Sequence, residues 1–294
     1  SIALAQKFQP ILDEVYKAAS LTAILDAPTN PVEFAGAHVV NVFKTSMVGL
    51  GNYDRNTGYS KGDVTGTWEA LTLAQSRGRE FSIDRMDDEE ALGMAFGTLA
   101  GEFIRTQVVP EVDAYRFAKY ASWAGINSVG TPAALSSTTV LAAIDAATLA
   151  LDQAEVPAEG RILYVSSSVA SFLKSAVQRY LANQNDVDRR VTALDTMRII
   201  NVPQARFYTQ ITLDPGATSS AGGFAKTATT GRDINFLMIH PSAVLQATKH
   251  ANLKIFDPET NQSMDAYKIQ YRLYHDAFVY ANKVKGIYLH NNAS

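Results

Sequence analysis

Three consecutive serines, Ser166, Ser167 and Ser168, offer the first candidate for chemistry, because the pattern predicts a buried strand before them and a helix after them. A nucleophile or a phosphate site can occupy such a turn. The Gly-x-Ser-x-Gly pattern that exposes a nucleophilic serine does not occur in the sequence, nor do the glycine-rich patterns that bind phosphates or dinucleotides. We therefore predict that these serines cap the helix.

The histidines are the second candidate, since imidazole serves as a general base and as a metal ligand. His240 and His250 flank a predicted short helix, which would separate them by ~15 Å, too far to share one metal ion. His275 precedes Asp276, but the pattern predicts a turn between two strands there. We expect surface or core roles for all five, which are His38, His240, His250, His275 and His290.

Composition narrows the classes of function further. The 294 residues suffice for one large or two modest domains, and 47% hydrophobic with 19% charged residues is typical of a globular chain. The lack of cysteine excludes disulfides, thiolate nucleophiles and cysteine-based zinc sites. A net charge of -3 without a Lys/Arg cluster argues against tight nucleic-acid binding, although not against enclosing nucleic acid. We predict no enzyme activity, no cofactor and no metal.

No membrane span or signal peptide is expected either. No apolar run approaches the ~20 residues that a bilayer crossing needs. Charged residues interrupt the apolar pattern of residues 1–17, which excludes a secretory signal.

A polar, glycine-studded arm over residues 49–80 is the segment least expected of a compact enzyme. About thirty residues of paired strand that reach away from the body bury little of their own surface, whereas a subunit that grips its neighbours needs such an arm. We expect contacts with other subunits from Tyr53, Arg55, Tyr59, Lys61, Trp68, Arg77 and Arg79.

Four acids, Asp87, Asp88, Glu89 and Glu90, begin a predicted long helix over residues 87–121. Acidic side chains are favourable at the positive end of a helix dipole. Alternatively, they are charge partners for the arm of a neighbouring subunit, since four of the arm residues named above are cationic. A metal site is a third alternative, although no histidine is near in sequence and nothing fixes a ligand geometry.

The same helix carries three further signals. About 35 residues at 1.5 Å each would make a rod of ~50 Å. Gly93, Gly97 and Gly101 share one face, which predicts close approach of another element. Pro110 lies inside the pattern and should kink or split the helix.

The remaining pattern predicts an α+β chain. Residues 214–233, mostly Gly, Ala, Ser and Thr, should form a long mobile loop, and residues 267–290 an antiparallel set of strands. Helices are predicted over residues 2–25, 136–155, 169–180 and 242–250. Strands are predicted over residues 38–44, 162–165, 197–200, 206–213, 235–239, 267–273, 278–282 and 286–290.

This order of parts resembles the major capsid proteins of tailed bacteriophages, which have the HK97-like fold. The resemblance covers essentially the whole chain and is carried by residues 84–90, which lead into the long helix, and by residues 236–250 and 265–290. It implies an N-terminal arm, an extended β-hairpin loop, a long spine helix with a peripheral β-sheet, and an α/β axial domain. The implied bounds are 1–31 for the arm, 49–80 for the loop, 32–48 with 81–130 and 251–294 for the peripheral domain, and 131–250 for the axial domain.

The resemblance also implies a function. Subunits would assemble through pentamers and hexamers into an icosahedral shell around double-stranded phage DNA, without sequence-specific binding or a membrane. Separate scaffold, portal and decoration proteins would be partners, and the virion capsid would assemble in the cytoplasm of a host bacterium.

Two other functions stay open. An encapsulin-like bacterial compartment uses the same fold around a cargo. An oligomeric α/β enzyme, with Ser167 or His275 at its site, is the third possibility.

Overall fold

The computed structural model describes residues 20–26, 32–35, 39–56, 58–86, 100–178, 193–218, 220–261 and 264–293. The α-helices of this part are α1 (Val109–Ala121), α2 (Val140–Gln153) and α3 (Ser167–Gln178). The first seven strands are β1 (Val32–Ala35), β2 (Val39–Met47), β3 (Val64–Thr72), β4 (Gln75–Asp84), β5 (Asn127–Ser128), β6 (Ile162–Ser166) and β7 (Ala193–Leu194). The others are β8 (Met197–Val202), β9 (Ile211–Leu213), β10 (Phe224–Lys226), β11 (Ile234–Ile239), β12 (Val244–Phe256), β13 (Ala266–Val279) and β14 (Ile287–Asn291).

A six-stranded sheet with the order β5-β14-β11-β6-β8-β7 forms the larger layer. Every residue of β6 is buried, because helices cover both faces of the sheet. Leu163 and Val165 pack with α2 and α3, whereas Ile162 and Tyr164 pack in the cluster that contains Phe117 of α1. The helix–sheet–helix order explains why the sequence of β6 is a continuous apolar run rather than an alternating one.

A three-stranded antiparallel sheet, β12-β13-β4, forms the second unit. Its inner face packs on the helical segment that leads into α1, with Leu253, Ile255, Ile269, Tyr271 and Leu273 facing Ile104, Val108, Val109 and Val112. The predicted helix over 242–250 is wrong, since these residues belong to β12, which pairs with β13 from Val244 to Phe256. The predicted turn at His275 and Asp276 is wrong as well, because both lie inside the continuous strand β13.

The helix that contains Pro110 continues through this residue. A π-helical segment, Ile104–Val108, precedes α1, and the N–H of Val109 donates to the carbonyl of Ile104 five residues earlier. The predicted split at Pro110 therefore does not occur, and a local change of hydrogen-bond register precedes the proline instead. No atom lies within 4 Å of the position that a Cβ on Gly101 would take, so the predicted close approach does not occur there. Residues 87–99, with the four acids, Gly93 and Gly97, lie outside the described residues.

Several other predicted elements are confirmed within the described residues, namely β2, β6, β8, β11, α2, α3 and β14. β14, however, joins the six-stranded sheet rather than an antiparallel set with β13. Of the strand predicted over 206–213, only Ile211–Leu213 forms. The predicted loop over 214–233 contains β10, which pairs with β9. Most of the predicted N-terminal helix lies outside the described residues, and Ala23–Leu25 forms a short 3-10 helix.

Candidate assembly surface

A β-hairpin built from β2 and β3 projects from the body of the chain. The two strands pair over nine residues each, from Val39 opposite Thr72 to Met47 opposite Val64. At the base, Val40 and Val42 are buried with Leu245 and Phe278 of the neighbouring strands. Beyond Val42 no residue of β2 is buried, and none of β3 is buried at all. The hairpin thus has an anchored base and a distal part that its own chain leaves uncovered.

The distal part is unusually apolar for a surface. Most of the large hydrophobic side chains that are exposed in the described part of the chain belong to it. We call the following eight side chains the distal surface: Phe43, Met47, Val48, Leu50, Tyr53, Tyr59, Val64 and Trp68. Contiguous exposed apolar side chains of this kind mark an interaction site.

Aromatic pairs order the distal surface. Phe43 lies opposite Trp68 across the two strands, with ring centroids 5.1 Å apart. A Cβ on Gly66 would lie 2.6 Å from Cζ of Phe43, so a side chain at position 66 would force this ring to move from its place over β3. At the tip, the rings of Tyr53 and Tyr59 lie 4.8 Å apart. The pairs hold these side chains in place before any partner binds.

The tip closes through a compact turn. The N–H of Gly58 donates to the carbonyl of Asp54 at 2.7 Å, and the Asp54 carboxylate accepts from the N–H of Asn56 at 2.6 Å. Gly58 has a φ of 80°, a left-handed conformation that glycine adopts without strain.

The structure corrects the prediction that the arm is positively charged. Arg77 and Arg79 do not belong to the projecting hairpin, because they lie in β4, which pairs with β13 in the three-stranded sheet. Without them, residues 39–72 carry Lys44, Arg55 and Lys61 against Asp54, Asp63 and Glu69. The hairpin therefore offers an apolar surface with balanced charge. This balance no longer supports the alternative in which a cationic arm attracts the acidic start of a helix in a neighbouring subunit. Contacts of Tyr53, Arg55, Tyr59, Lys61 and Trp68 with a neighbour stay predictions.

A buried carboxylate fastens the base of the hairpin. Asp276 accepts from the N–H of Ala74 at 2.9 Å and from the hydroxyl of Tyr115 at 2.7 Å. The hydroxyl of Tyr274 donates to the carbonyl of Leu73 at 2.9 Å. Burial and the neighbouring carboxylate raise the pKa of Tyr115, which keeps its hydroxyl a donor. The link between β3 and β4 is therefore held to both β13 and α1.

The candidate serines have structural roles. The hydroxyl of Ser166 accepts from the N–H of Val169 at 3.3 Å, which confirms the predicted helix cap. Ser167, the proposed nucleophile of the enzyme alternative, lies 3.3 Å from Oδ1 of Asn201 and donates to it.

The candidate histidines do not converge. His240 caps a short 3-10 helix by accepting from the N–H of Ser242, and His290 stacks on Phe236 with ring centroids 5.0 Å apart. His38 and the side chain of His250 lie outside the described part. Within that part, no group of three or more histidine, aspartate or glutamate side chains is arranged for a metal ion. None of the described helices has both the length and the apolar character to cross a bilayer.

His275 is buried against the ring of Tyr115, with centroids 5.5 Å apart. Burial, with the charges of Arg116 and Arg77, lowers its pKa to about 3. The unfolded chain therefore binds a proton near pH 6.5 that the folded chain rejects, so this stability is full above pH 6.5 and is lost as pH falls toward 3. We expect the unfolding free energy to fall by up to about 1.4 kcal/mol per pH unit from this group.

Urea unfolding of the native chain and of His275→Gln between pH 7 and pH 4 measures this contribution. The variant should show the shallower pH dependence. Equal slopes would contradict a neutral, buried His275.

No protein-family model matches the sequence, and no curated protein matches it either. Solved structures do match. The capsid of cyanophage P-SCSP1u matches with a TM-score of 0.65 and 12% identity, over 94% of this chain and 89% of that one. A structure from Gordonia phage Cozz gives 0.60 and 14%, over 94% and 87%. The virus-like particle from Pyrococcus furiosus gives 0.52 and 10%, over 98% and 99%. The chain thus has the fold of phage capsid proteins, as the resemblance predicted.

Proposed function

We propose that this chain is the structural subunit of a closed icosahedral shell, the major capsid protein of a tailed phage. In this proposal copies of the chain assemble through pentamers and hexamers around double-stranded DNA and have no catalytic role. The observation that carries it is the distal surface, an ordered set of exposed apolar side chains on a hairpin that its own chain holds only at the base. The shared capsid fold supports it.

The fold places the distal surface where a neighbouring copy can reach it. A hairpin anchored by Asp276 and Tyr115 leaves the body in a defined direction, so its apolar side chains can meet the same surface on every neighbouring copy. Each copy would place its own hairpin on one neighbour and accept the hairpin of another. Many such contacts can close a shell even if each one is modest. In the proposed arrangement the hairpin is the extended loop, β12, β13 and β4 belong to the peripheral domain, and the sheet around β6 belongs to the axial domain.

Scaffold, portal and decoration proteins are proposed partners in the virion, with assembly in the bacterial host. The described part of the sequence carries no dense basic patch, which suits a wall that encloses DNA without gripping it. A bacterial compartment shell is the second candidate, since the fold also occurs in a virus-like particle from Pyrococcus furiosus, which matches over almost the full length of both chains.

Light scattering followed by negative-stain electron microscopy of the purified chain tests the proposal. Closed angular particles tens of nanometres across are expected, and nuclease-protected DNA inside particles from infected cells indicates a capsid. A protein cargo instead would favour the compartment. A small oligomer that does not grow with concentration, even in the presence of the other shell proteins, would contradict both.

A further inference from the structure

Arg77 joins three separate parts of the chain. Its Nε and Nη2 atoms donate to the two carboxylate oxygens of Glu111 in α1, at 2.6 and 3.1 Å. Its Nη1 atom donates to the carbonyl of Asp214 at 2.7 Å, and Nη2 also reaches the carbonyl of Gly223 at 3.4 Å. One guanidinium on β4 thus holds both the helix and the segment between β9 and β10.

Arg79, two residues along β4, adds a second hold on the same segment. Its Nη1 atom donates to the carbonyl of Ala221 at 2.9 Å. Carbonyl groups near the start and the end of residues 214–223 therefore both accept from arginine side chains of β4. Because hydrogen bonds from a charged donor are stronger than neutral ones, these contacts hold the segment in position on β4.

The segment has little else to hold it. None of the described residues between 214 and 223 is buried. Its internal bonds include those from the N–H of Asp214 to the carbonyl of Gly223 at 2.9 Å and from the N–H of Ala221 to the carbonyl of Thr218 at 3.2 Å. The N–H of Gly216 also donates to the Asp214 carboxylate at 2.7 Å. Gly216, Gly222 and Gly223 have φ values of 68°, 143° and 83°, so the backbone is built for a shape that side chains would resist.

Residues 214–223 also form one wall of a cavity of about 510 Å³. The opposite walls are Phe81 and Tyr271 of the three-stranded sheet and Phe103 and Val108 of the long helix. The cavity is already partly open to solvent, and movement of this segment away from β4 would widen the opening.

We propose that Arg77 and Arg79 form a latch that holds residues 214–218 and 220–223 against β4 and α1, and that releasing the latch widens the cavity without unfolding the chain. β4 begins directly after the two-residue link at the hairpin base. A displacement of the hairpin base would therefore move β4 with Arg77 and Arg79, and these side chains would pull on the segment between β9 and β10. This inference rests on contacts within one chain and stands independently of the assembly proposal.

Hydrogen exchange of the full chain, followed by mass spectrometry, tests the latch. Arg77→Gln should speed exchange in peptides covering residues 214–223 at least tenfold, while peptides of α2 keep their native rates. Arg79→Gln removes the bond to the carbonyl of Ala221 and leaves the bonds of Arg77 in place, so it should give a smaller increase at the same peptides, even if Arg77→Gln fails to fold. Arg105→Gln is the matched control. Arg105 lies in the helical segment before α1 and forms an exposed ion pair with Glu102, one turn earlier.

The charge exchange Arg77→Glu with Glu111→Arg separates the latch from the ion pair. It restores opposite charges between β4 and α1, but a carboxylate at position 77 cannot donate to the carbonyls of Asp214 and Gly223. The latch predicts fast exchange of residues 214–223 in this variant despite recovered stability. Native exchange rates there, or unchanged rates in both single variants, would overturn the proposal.

Discussion

Asp113→Ala is expected to lower the free energy of unfolding by about 3–5 kcal/mol, the typical cost of breaking a buried charged pair. Asp113 is 0% exposed, and its carboxylate accepts from Ser20 Oγ at 2.8 Å, Leu21 N–H at 3.0 Å and Thr22 Oγ1 at 2.7 Å. Arg206 donates to it as well, at 3.3 Å. Alanine would leave the buried hydroxyl of Thr22 and the part-buried donors around it without their acceptor, which costs more than the bonds themselves contribute.

Urea unfolding measures this loss, and limited proteolysis shows where it acts. Residues 20–26 should become accessible first, because the carboxylate holds them to α1 through several bonds, beside the bond that Arg116 donates to Thr22 Oγ1 at 2.9 Å. Asp145→Ala on the exposed side of α2 is the control and should stay within about 0.5 kcal/mol of the native chain. A loss under about 1 kcal/mol in Asp113→Ala would show that this carboxylate does not anchor the segment.

Replacing part of the distal surface is expected to abolish assembly while the monomer stays folded. Met47 and Val64 face each other across the hairpin and are 73% and 70% exposed. Met47→Lys with Val64→Glu turns this pair into opposite charges that still suit a cross-strand position. Leu50→Ser removes the fully exposed leucine beside them.

The size of the effect follows from burial. Covering each of these side chains contributes about 1.5–3 kcal/mol when a partner excludes water. Loss of even two of them would weaken each contact between copies by at least about 100-fold. Sedimentation velocity and electron microscopy of the triple variant measure assembly, and circular dichroism with urea unfolding measures the fold of the monomer.

Leu149→Ser is the matched control for that variant, since Leu149 is 57% exposed on α2, away from the hairpin. It should assemble as the native chain does. Native particles from the triple variant, or equal defects in both, would show that the distal surface is not the site of assembly.

The layered unit around β6 was predictable from sequence because its signals are local. The apolar run Ile162–Ser166 and the periodic helices on either side of it are each recognisable without knowledge of their partners. The segment at Val244 was not, because a short apolar run fits a helix or a strand, and pairing with β13 decides between them. That pairing is a tertiary contact that periodicity does not record.

The predicted end of the arm at residue 80 was wrong for a related reason. Leu73 and Ala74, the link between β3 and β4, carry neither glycine nor proline, so nothing in the sequence marks the change of partner strand. Asp113 and Asp276 do leave a signal, an acid inside an apolar pattern. Their donors, however, lie far away in sequence, with Leu21 92 residues from Asp113 and Ala74 202 residues from Asp276. Only the folded chain brings them together.

A three-dimensional reconstruction of the assembled particle by electron cryomicroscopy tests the central proposal most directly. We predict a closed shell in which the hairpin of each copy lies over its neighbour, with Met47, Leu50 and Trp68 buried between the two chains. A closed shell in which these side chains stay exposed to solvent, or in which the hairpin packs only on its own chain, would contradict the account.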